Sequence, residues 1–339
     1  MIGIPGSAGT RRARLVALGY YVPEHRLTNI DLEKLVDTTD EWIMSRTGIR
    51  ERRIAAPDEA TSDLAIKAAE NVLANAGRSA ADIDVLIVPT CTPDQLFPSV
   101  AALTADAIGA RGAAAFDIQA ACSGFIYGLA QAVALVESGL ATSVLVVGAE
   151  LFSRMVNPDD RSTFVLFGDA AAGALVTADD GGGPSGFFGF ELGADGSKGD
   201  QLQIPVGGTR HPASVDFEHA DAYLQMNGRE VFKFATRVME ESVLRLLERL
   251  EMTVDDIDLL VPHQANQRII DHAVGRLEIP PERVFGNLEH YGNTSAASIP
   301  LALAEARDAG VLTPGMRVMM VGFGAGLTWA ASLVRYEPT

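Results

Sequence analysis

Cysteine is scarce in this sequence, with two residues among 339. Two thiols do not make the disulfide framework of a small secreted protein. No apolar run approaches the roughly 20 residues that cross a bilayer. The N-terminal segment also lacks the apolar centre of a secretion signal. We therefore expect a cytoplasmic protein that makes no contact with a membrane.

Basic residues are also in short supply, with 27 Lys and Arg against 44 Asp and Glu, for a net charge of −17. Binding to nucleic-acid phosphates needs a basic surface, so this composition argues against a nucleic acid as partner. An acidic partner would have to dock on a local basic patch. Because a single core stops growing near roughly 250–300 residues, the length predicts two units or one duplicated unit.

The chain contains an internal repeat. Residues 79–86 (SAADIDVL) align with residues 253–260 (TVDDIDLL), at an offset of 174. A helical pattern precedes each copy: Ser62 is a candidate N-cap and Gly77 a candidate end in the first, and a 3.6-residue period runs over 231–250 in the second. A short apolar strand follows each copy, at Val85–Pro89 and Leu259–Pro262.

The order of elements continues in parallel after these strands. The first copy predicts strands at 113–118 and 144–148 around a helix that opens at Cys122. The second predicts strands at 284–288 and 318–322 around a helix that opens near Asn293. Strands that alternate with helices predict parallel pairing with helices on both faces. We expect two similar α/β halves, 13–180 and 181–339, packed as layers after an extension at 1–12, with glycine-marked loops at 181–183 and 207–208.

Cys122 is the candidate nucleophile because it lies where a buried strand meets a helix start. Backbone N–H groups and the helix dipole favour a thiolate there, and small neighbours leave room for a substrate. Cys91 has no comparable helix start, so we interpret it as structural. The segment 322–329 follows a strand but precedes another strand rather than the helix of a dinucleotide site. It predicts a hairpin whose N–H groups suit an oxyanion hole.

His263 directly follows a buried strand, where ligands meet open α/β sheets, and Asn293 lies near the matching helix start. Either residue alone would be ordinary, but together with Cys122 they suggest acyl transfer through a thioester. A papain-like hydrolase also places its His roughly 130–150 residues after its Cys, and the spacing here is 141. The duplicated fold and the position of Cys122 argue against that alternative. The six histidines show no metal-ligand spacing, so no metal is predicted.

Seven separated motifs together resemble those of the β-ketoacyl-acyl-carrier-protein synthase III family, over roughly residues 15–336. They are 37–43 (DTTDEWI), 46–53 (RTGIRERR), 120–125 (AACSGF), 167–171 (FGDAA), 262–266 (PHQAN), 292–298 (GNTSAAS) and 324–329 (GAGLTW). The resemblance implies a thiolase-like fold with an α-β-α-β-α order of layers. It also implies decarboxylating condensation of a short acyl-CoA with malonyl-carrier protein, without a cofactor, by a homodimer that initiates fatty-acid synthesis.

By the same resemblance, Cys122, His263 and Asn293 are catalytic, and the backbone of Cys122 and Ala325 forms the oxyanion hole. The resemblance implies three further sets of residues. The CoA-binding set is Thr38, Trp42, Arg46, Arg161 and Asn266. The carrier-binding set is Lys233, Gln264, Ala265, Asn266, Gln267 and Arg268, with Arg237 and Arg276 as additions and Gly275 as a departure from the family pattern. The acyl-pocket set is Phe97, Phe167 and Leu327.

Two alternatives share this fold. One is an enzyme of a secondary-metabolite pathway that loads starter units or transfers acyl groups to oxygen or nitrogen. The other is an inactive partner subunit, against which the presence of Cys122, His263 and Asn293 argues. A non-decarboxylating thiolase would need a second cysteine in the C-terminal glycine loop, and residues 323–327 contain none.

Overall fold

The computed structural model describes residues 12–179 and 186–338. Residues 1–11 of the predicted extension, the predicted loop at 181–183 and the boundary between the predicted halves lie outside these ranges. Arg12, assigned to the extension, is instead the first residue of a strand. No helix among the described residues is long and apolar enough to cross a membrane.

The described residues form strands and helices that largely alternate along the chain. The strands are β1 Arg12–Tyr21, β2 His25–Thr28, β3 Glu51–Ile54, β4 Val85–Pro89, β5 Ala114–Ile118, β6 Ser143–Leu151, β7 Asp169–Asp179, β8 Phe187–Ala194, β9 Leu202–Gln203, β10 Gln225–Met226, β11 Leu259–Pro262, β12 Arg317–Gly324 and β13 Thr328–Arg335. The helices are α1 Asn29–Leu32, α2 Asp40–Thr47, α3 Thr61–Ala76, α4 Val100–Ile108, α5 Gly124–Glu137, α6 Arg161–Phe164, α7 Gly228–Arg249, α8 Gln267–Leu277, α9 Leu288–Tyr291 and α10 Ser298–Asp308.

Two larger sheets carry the fold. One has the strand order β1-β7-β6-β4-β5 and the other β11-β12-β13-β8. Pairing is parallel at β5-β4-β6 and at β11-β12, as the alternation predicted. The other neighbours pair antiparallel. The prediction of parallel pairing was therefore wrong for these outer strands. Between β12 and β13 the reason is a short connection, residues 325–327, which returns the chain in the opposite direction.

Five layers follow from which elements pack together. The core between the two sheets contains α5 and α10, with side chains from both sheets against them. Helices α3 and α4 cover the outer face of the first sheet, and α7 and α8 cover that of the second. Strand β6 is buried along all nine residues because helices cover both of its faces. This is the predicted α-β-α-β-α order.

The repeat offset of 174 holds across the centre of the molecule. It relates the starts of β4 and β11, and those of β6 and β12. It also relates two 3-10 turns, Ala121–Ser123 and Ser295–Ala297, and the starts of the central helices α5 and α10 that follow them. These turns pack back to back: Cys122 Sγ of the first lies 3.4 Å from Ser295 Oγ of the second, and a Cβ on Gly124, which follows the first turn, would lie 3.5 Å from the Cβ of Ala296 in the second.

Two local predictions were wrong. The predicted strand at 284–288 is reduced to one bridge between Val284 and Leu260, because the Gln264 side chain accepts hydrogen bonds from the N–H groups of Asn287 and Leu288. The first long helix begins at Thr61, with Ala60 at the N-cap position. Ser62 therefore lies inside the first turn, where its N–H and hydroxyl donate to Asp94.

Candidate active site

Cys122 lies in the 3-10 turn that leads into α5, and a hairpin of the other half presses on this turn. A Cβ on Gly324 would lie 2.5 Å from Cys122 N, so a residue without a side chain is required at that close approach. Thr328 fixes the hairpin, because its hydroxyl donates to Ala120 O at 2.9 Å and lies 3.2 Å from the Ser123 hydroxyl. The backbone of Cys122 therefore faces the loop that carries Ala325.

The Cys122 thiol is buried and donates a hydrogen bond to Ser295 Oγ at 3.4 Å. Burial raises the pKa of the thiol to about 12, the Ser295 hydrogen bond lowers it, and the nearby Glu150 charge raises it further. The sequence predicted a helix start that favours thiolate. In the structure, desolvation outweighs that effect, so Cys122 is a thiol that needs a proton acceptor when it reacts.

Asn293 is anchored by the chain beside β7. Its N–H donates to Leu166 O at 2.8 Å, and its carbonyl accepts from Gly168 N at 3.1 Å. Its side-chain Oδ1 accepts from Ser295 N at 2.9 Å. Because Oδ1 is used by the backbone, the Nδ2 amide is the group that Asn293 can offer to a substrate.

His263 directly follows β11 and is completely buried. Its Nδ1 lies 2.6 Å from Ser298 Oγ, and its ring packs edge-on against Phe323. Its Nε2 is buried and has no hydrogen-bond partner among the described residues. Burial lowers the pKa of His263 to about 3, so the imidazole is neutral near neutral pH.

The segment 293–298 brings the three residues together. Ser295 contacts the Cys122 thiol and the Asn293 side chain, while Ser298 contacts the His263 ring. The Cβ position of Gly322 lies 3.4 Å from Cys122 O and 3.7 Å from the Cβ of His263. The thiol, the amide and the imidazole predicted from the sequence are therefore neighbours in one buried site built from both copies of the repeat.

Glu150 is a buried acid at this site that the sequence analysis missed. Its Oε1 accepts a hydrogen bond from Ser295 Oγ at 2.9 Å, and its Oε2 accepts from Thr92 Oγ1 at 2.8 Å. Burial raises the pKa of Glu150 to about 7. A usable signal was present, because Glu150 is an acid near the end of the apolar run 143–151, which helices were expected to cover on both faces.

Comparisons with known proteins identify the family of this chain. Two family models match the chain, one described as 3-oxoacyl-[acyl-carrier-protein (ACP)] synthase III over residues 116–196 and its C-terminal counterpart over residues 247–336. The β-ketoacyl-[acyl-carrier-protein] synthase III of Symbiobacterium thermophilum is 52% identical over 327 residues, which cover 96% of this chain and 98% of that protein.

The chain belongs to the β-ketoacyl-[acyl-carrier-protein] synthase III family. The solved synthase III structure from Thermus thermophilus is 51% identical, with a TM-score of 0.89 over 96% of this chain and 100% of that one. A solved priming β-ketosynthase from a polyketide biosynthetic pathway is 36% identical, with a TM-score of 0.90 over 99% and 100%. The predicted thiolase-like fold and the predicted role, an acyltransferase whose condensation initiates fatty-acid synthesis, are confirmed by this membership.

Residues predicted to bind CoA in this synthase III chain lie along one surface. The Arg161 guanidinium lies 5.0 Å over the centre of the Trp42 ring and donates to Asp37 O. Thr38 Oγ1 is buried without a partner among the described residues. The Asn266 side chain donates to Arg46 O at 3.1 Å, which ties α8 to α2. A ring between Trp42 and Arg161 needs two contacts of roughly 3.5 Å, so these side chains must separate to admit an adenine.

The three predicted acyl-pocket residues have different surroundings in the structure. Phe167 stacks on Phe152 at 5.0 Å, in a cluster that also includes Cys91. Leu327 is buried in the core around α7. Phe97 is 83% exposed and far more open than a pocket residue of a single chain would be. Cys91 lies close enough to Cys122 for the charges of the two sulfur atoms to couple.

The predicted carrier-binding residues divide into exposed and buried members. Gln267 and Arg268 are exposed at the start of α8, and Lys233 is exposed on α7. Gln264 is 1% exposed, and its amide bonds to Pro262 O and to the N–H groups of 287 and 288. Its predicted contact with a carrier protein was therefore wrong, because its side chain is fully used in holding a loop. Ala265 packs partly against the core beside α8.

The basic residues of this surface differ in whether an acidic side chain already pairs with them. Lys233 pairs with Glu230 at 2.7 Å, and Arg276 bonds to both carboxylate oxygens of Glu240 at 3.1 Å. Arg268 has no ion pair among the described residues and lies over the Phe232 ring. In those same ranges, no cluster of three or more His, Cys, Asp or Glu side chains is arranged to hold a metal ion.

Proposed function

We propose that this chain condenses a short acyl-CoA with malonyl-carrier protein through an acyl thioester on Cys122. The observation that carries the proposal is the convergence of the Cys122 thiol, the Asn293 amide and the His263 imidazole on the segment 293–298. Each group has one side fixed by the protein and one functional atom left for a substrate.

Acylation begins with attack of Cys122 Sγ on the acyl-CoA carbonyl carbon. The carbonyl oxygen then gains negative charge, and N–H groups of Cys122 and Ala325 stabilise it. The close approach of Gly324 to Cys122 N supports this pairing of two backbone segments. The carbon–sulfur bond to CoA breaks, and the acyl group stays on Cys122.

Condensation begins when malonyl-carrier protein loses CO₂. Negative charge develops on the malonyl thioester oxygen, and His263 Nε2 and Asn293 Nδ2 donate hydrogen bonds to it. The Ser298 hydroxyl donates to His263 Nδ1 in this tautomer, which leaves the proton on Nε2. The Ser295 N–H holds Asn293 Oδ1, which leaves Nδ2 free. The enolate carbon then attacks the acyl group on Cys122, and a β-ketoacyl-carrier protein leaves.

We infer that CoA enters beside Trp42, Arg161, Thr38, Arg46 and Asn266. Stacking on Trp42 and the charge of Arg161 would hold the adenine and phosphates. The acidic carrier docks on the surface formed by Arg268, Gln267 and Lys233. Arg268 is the main contact, because the other cations near it are neutralised by glutamates.

We infer that the working enzyme is a cytoplasmic homodimer. Strand β5 is an edge of its sheet, and Phe116 on it is exposed. Leu96 and Phe97, in the segment between β4 and α4, are also exposed. Pairing of this edge with a second copy would cover these apolar side chains. Phe97 of one copy would then close the partner's acyl pocket, and the stacked Phe152 and Phe167 rings favour a short primer.

A second candidate is the priming step of a polyketide pathway, which the 36% identical priming β-ketosynthase supports. The two functions share the chemistry and differ in the primer and in the carrier protein. A panel of acyl-CoA primers tested with fatty-acid and polyketide carrier proteins separates them by kcat/KM.

The central test is mass spectrometry of the intact protein after incubation with acetyl-CoA. We expect one acetyl adduct, located on Cys122 by peptide mapping and absent from Cys122→Ser, with CO₂ released after malonyl-carrier protein is added. Cys91→Ser is the matched control and should keep the adduct. An adduct elsewhere, or no adduct in the wild-type protein, would overturn the proposal.

A further inference from the structure

A chain of two hydrogen bonds connects the Cys122 thiol to a buried carboxylate. Cys122 Sγ donates to Ser295 Oγ at 3.4 Å, and Ser295 Oγ donates to Glu150 Oε1 at 2.9 Å. All three residues are buried. Donors and acceptors are thus already ordered for proton movement from sulfur to carboxylate.

The two carboxylate oxygens of Glu150 have different hydrogen-bond partners. Oε2 accepts from Thr92 Oγ1, Cys91 N and Thr90 Oγ1 at 2.8, 3.0 and 3.3 Å. Oε1 accepts from Ser295 and has no second partner among the described residues. No cation pairs with Glu150 in those ranges, so burial raises its pKa to about 7. Glu150 can therefore gain or lose a proton near neutral pH.

His263 is less suited to accept the thiol proton. Its protonation would create a cation in a fully buried site, which is why burial lowers its pKa to about 3. Charge balance favours Glu150. If Cys122 ionised while Glu150 stayed charged, two negative charges would share one buried site, whereas proton transfer to Glu150 keeps one.

We propose that Ser295 and Glu150 relay the Cys122 proton during acylation; this rests on the proposed role of Cys122 as nucleophile. As Sγ bonds to the acyl carbon, its proton moves to Ser295 Oγ, and the Ser295 hydroxyl proton moves to Glu150 Oε1. When the carbon–sulfur bond of CoA breaks, the proton returns through Ser295 to the CoA sulfur. The products are acyl-Cys122, free CoA thiol and the Glu150 carboxylate. Ser295 is then a catalytic residue, and Glu150 is a positioning residue that holds the proton.

The test is the pH dependence of Cys122 alkylation by iodoacetamide, followed by peptide mass spectrometry so that Cys91 is counted separately. The titratable groups whose charges couple to Glu150 are Cys91 and Cys122. In the wild-type protein, charged Glu150 accepts the thiol proton through Ser295 while Cys122 Sγ attacks, so the alkylation rate follows the fraction of Glu150 that is charged. The rate should therefore rise near pH 7 to a plateau, and rise again at high pH.

Ser295→Ala breaks the relay and Glu150→Gln removes its acceptor. Both should lose the rise near pH 7 and react about 10²-fold more slowly at pH 7.5, the lower range of general acid–base effects. Simple charge repulsion predicts the opposite sign, because removing the Glu150 charge would make thiolate easier to form. Faster alkylation of Glu150→Gln, or an unchanged profile in Ser295→Ala, would overturn the relay.

Thr90→Val is the matched control, since it removes a hydrogen bond to Oε2 and leaves the path through Oε1 intact. The rise in alkylation rate should persist in this variant and move to higher pH. The Thr90 hydrogen bond lowers the pKa of Glu150, so removing it raises that pKa. If Glu150→Gln does not fold, judged by circular dichroism, Ser295→Ala carries the test alone. Normal acetylation of wild-type Cys122 with an unchanged pH profile in the variants overturns the relay and leaves the proposed function standing.

Discussion

Ala121 and Ser295 adopt the same left-handed backbone conformation, with φ of 46° and 50°, at positions 174 residues apart. Each begins the 3-10 turn that leads into a central helix, and each carries a side chain where left-handed geometry costs roughly 1–2 kcal/mol. The two turns lie back to back, so Cys122 of the first turn meets the Ser295 hydroxyl of the second. The repeat thus explains how distant segments supply adjacent groups.

The repeat gives a matched pair of glycines for a stability test. A Cβ on Gly148 would lie 2.4 Å from Ala296 O, whereas a Cβ on its counterpart Gly322 would have Ile299 Cδ1 as its nearest atom, at 3.3 Å. We expect Gly148→Ala to lower the free energy of unfolding by about 3 kcal/mol, at the upper end of overpacking costs. Gly322→Ala should lower it by less than about 1 kcal/mol. Urea unfolding measures both, and equal losses would contradict this account.

The buried His263 should make the protein sensitive to acid. Its pKa is lowered to about 3 by burial, against 6.5 for a free histidine. The unfolded chain therefore binds more protons below pH 6.5, and stability falls as the pH drops toward 3. Between pH 6.5 and 4 the loss due to His263 is about 3 kcal/mol, at roughly 1.4 kcal/mol per pH unit.

His263→Gln should remove this part of the pH dependence. Urea unfolding of both proteins at pH 4 to 8 measures it as the change in their difference. Glu150 acts in the opposite direction, because its pKa is raised and its burial destabilises the fold as the pH rises toward 7. Glu150 is present in both proteins, so its contribution cancels. If the free energy of unfolding changed equally with pH in the two proteins, the pKa of His263 would not be lowered in the folded state.

Trp42 should act on CoA binding alone. We expect Trp42→Leu to raise the KM for acetyl-CoA about 5- to 30-fold with kcat unchanged, because stacking and cation–π contacts are worth about 1–2 kcal/mol. Acetyl-pantetheine lacks the adenine and is the matched substrate. An equal loss with both substrates would place Trp42 in the structural support of α2 instead.

Arg268 should contribute more to carrier docking than Arg276. Arg268 has no ion pair in the described residues, whereas Glu240 already neutralises Arg276. Arg268→Ala should raise the KM for malonyl-carrier protein about 10-fold and weaken its dependence on salt. The same change at Arg276 should have an effect of less than about 3-fold. Steady-state kinetics at about 50 and about 300 mM salt measure both effects, because salt screens exposed charges more strongly at the higher concentration. A larger rise in KM for the Arg276 change than for Arg268→Ala would contradict this prediction.

Sequence patterns predicted the positions of buried strands, but they did not predict the directions in which the outer strands run. The strands Val85–Pro89 and Leu259–Pro262 were predicted with their observed bounds, because each is a short apolar run that helices cover on both faces. The direction of the outer strands depends on the length and path of the loops, which no local pattern records. The strand at 284–288 failed for a similar reason, since a side chain 23 residues away takes its N–H groups.

The site shows the same division. Cys122, His263 and Asn293 were marked by their positions at strand or helix ends, and the structure brings them together. Glu150 and Ser295 have no such local mark, because their roles depend on one another across 145 residues. Gln264 lies shortly before the exposed residues Gln267 and Arg268. Its own burial depends on the distant segment 286–288, which packs against its side chain.

The offset of 174 also assigns a counterpart to each proposed reacting group. Ala296 stands where the other copy has Cys122, Pro89 stands opposite His263, and Gln119 stands opposite Asn293. A pseudo-symmetric second centre therefore has neither a thiol nor an imidazole. The two copies of the repeat therefore supply one set of proposed reacting groups, and the chain has one such site. If the two halves were separated, neither fragment would contain all three groups.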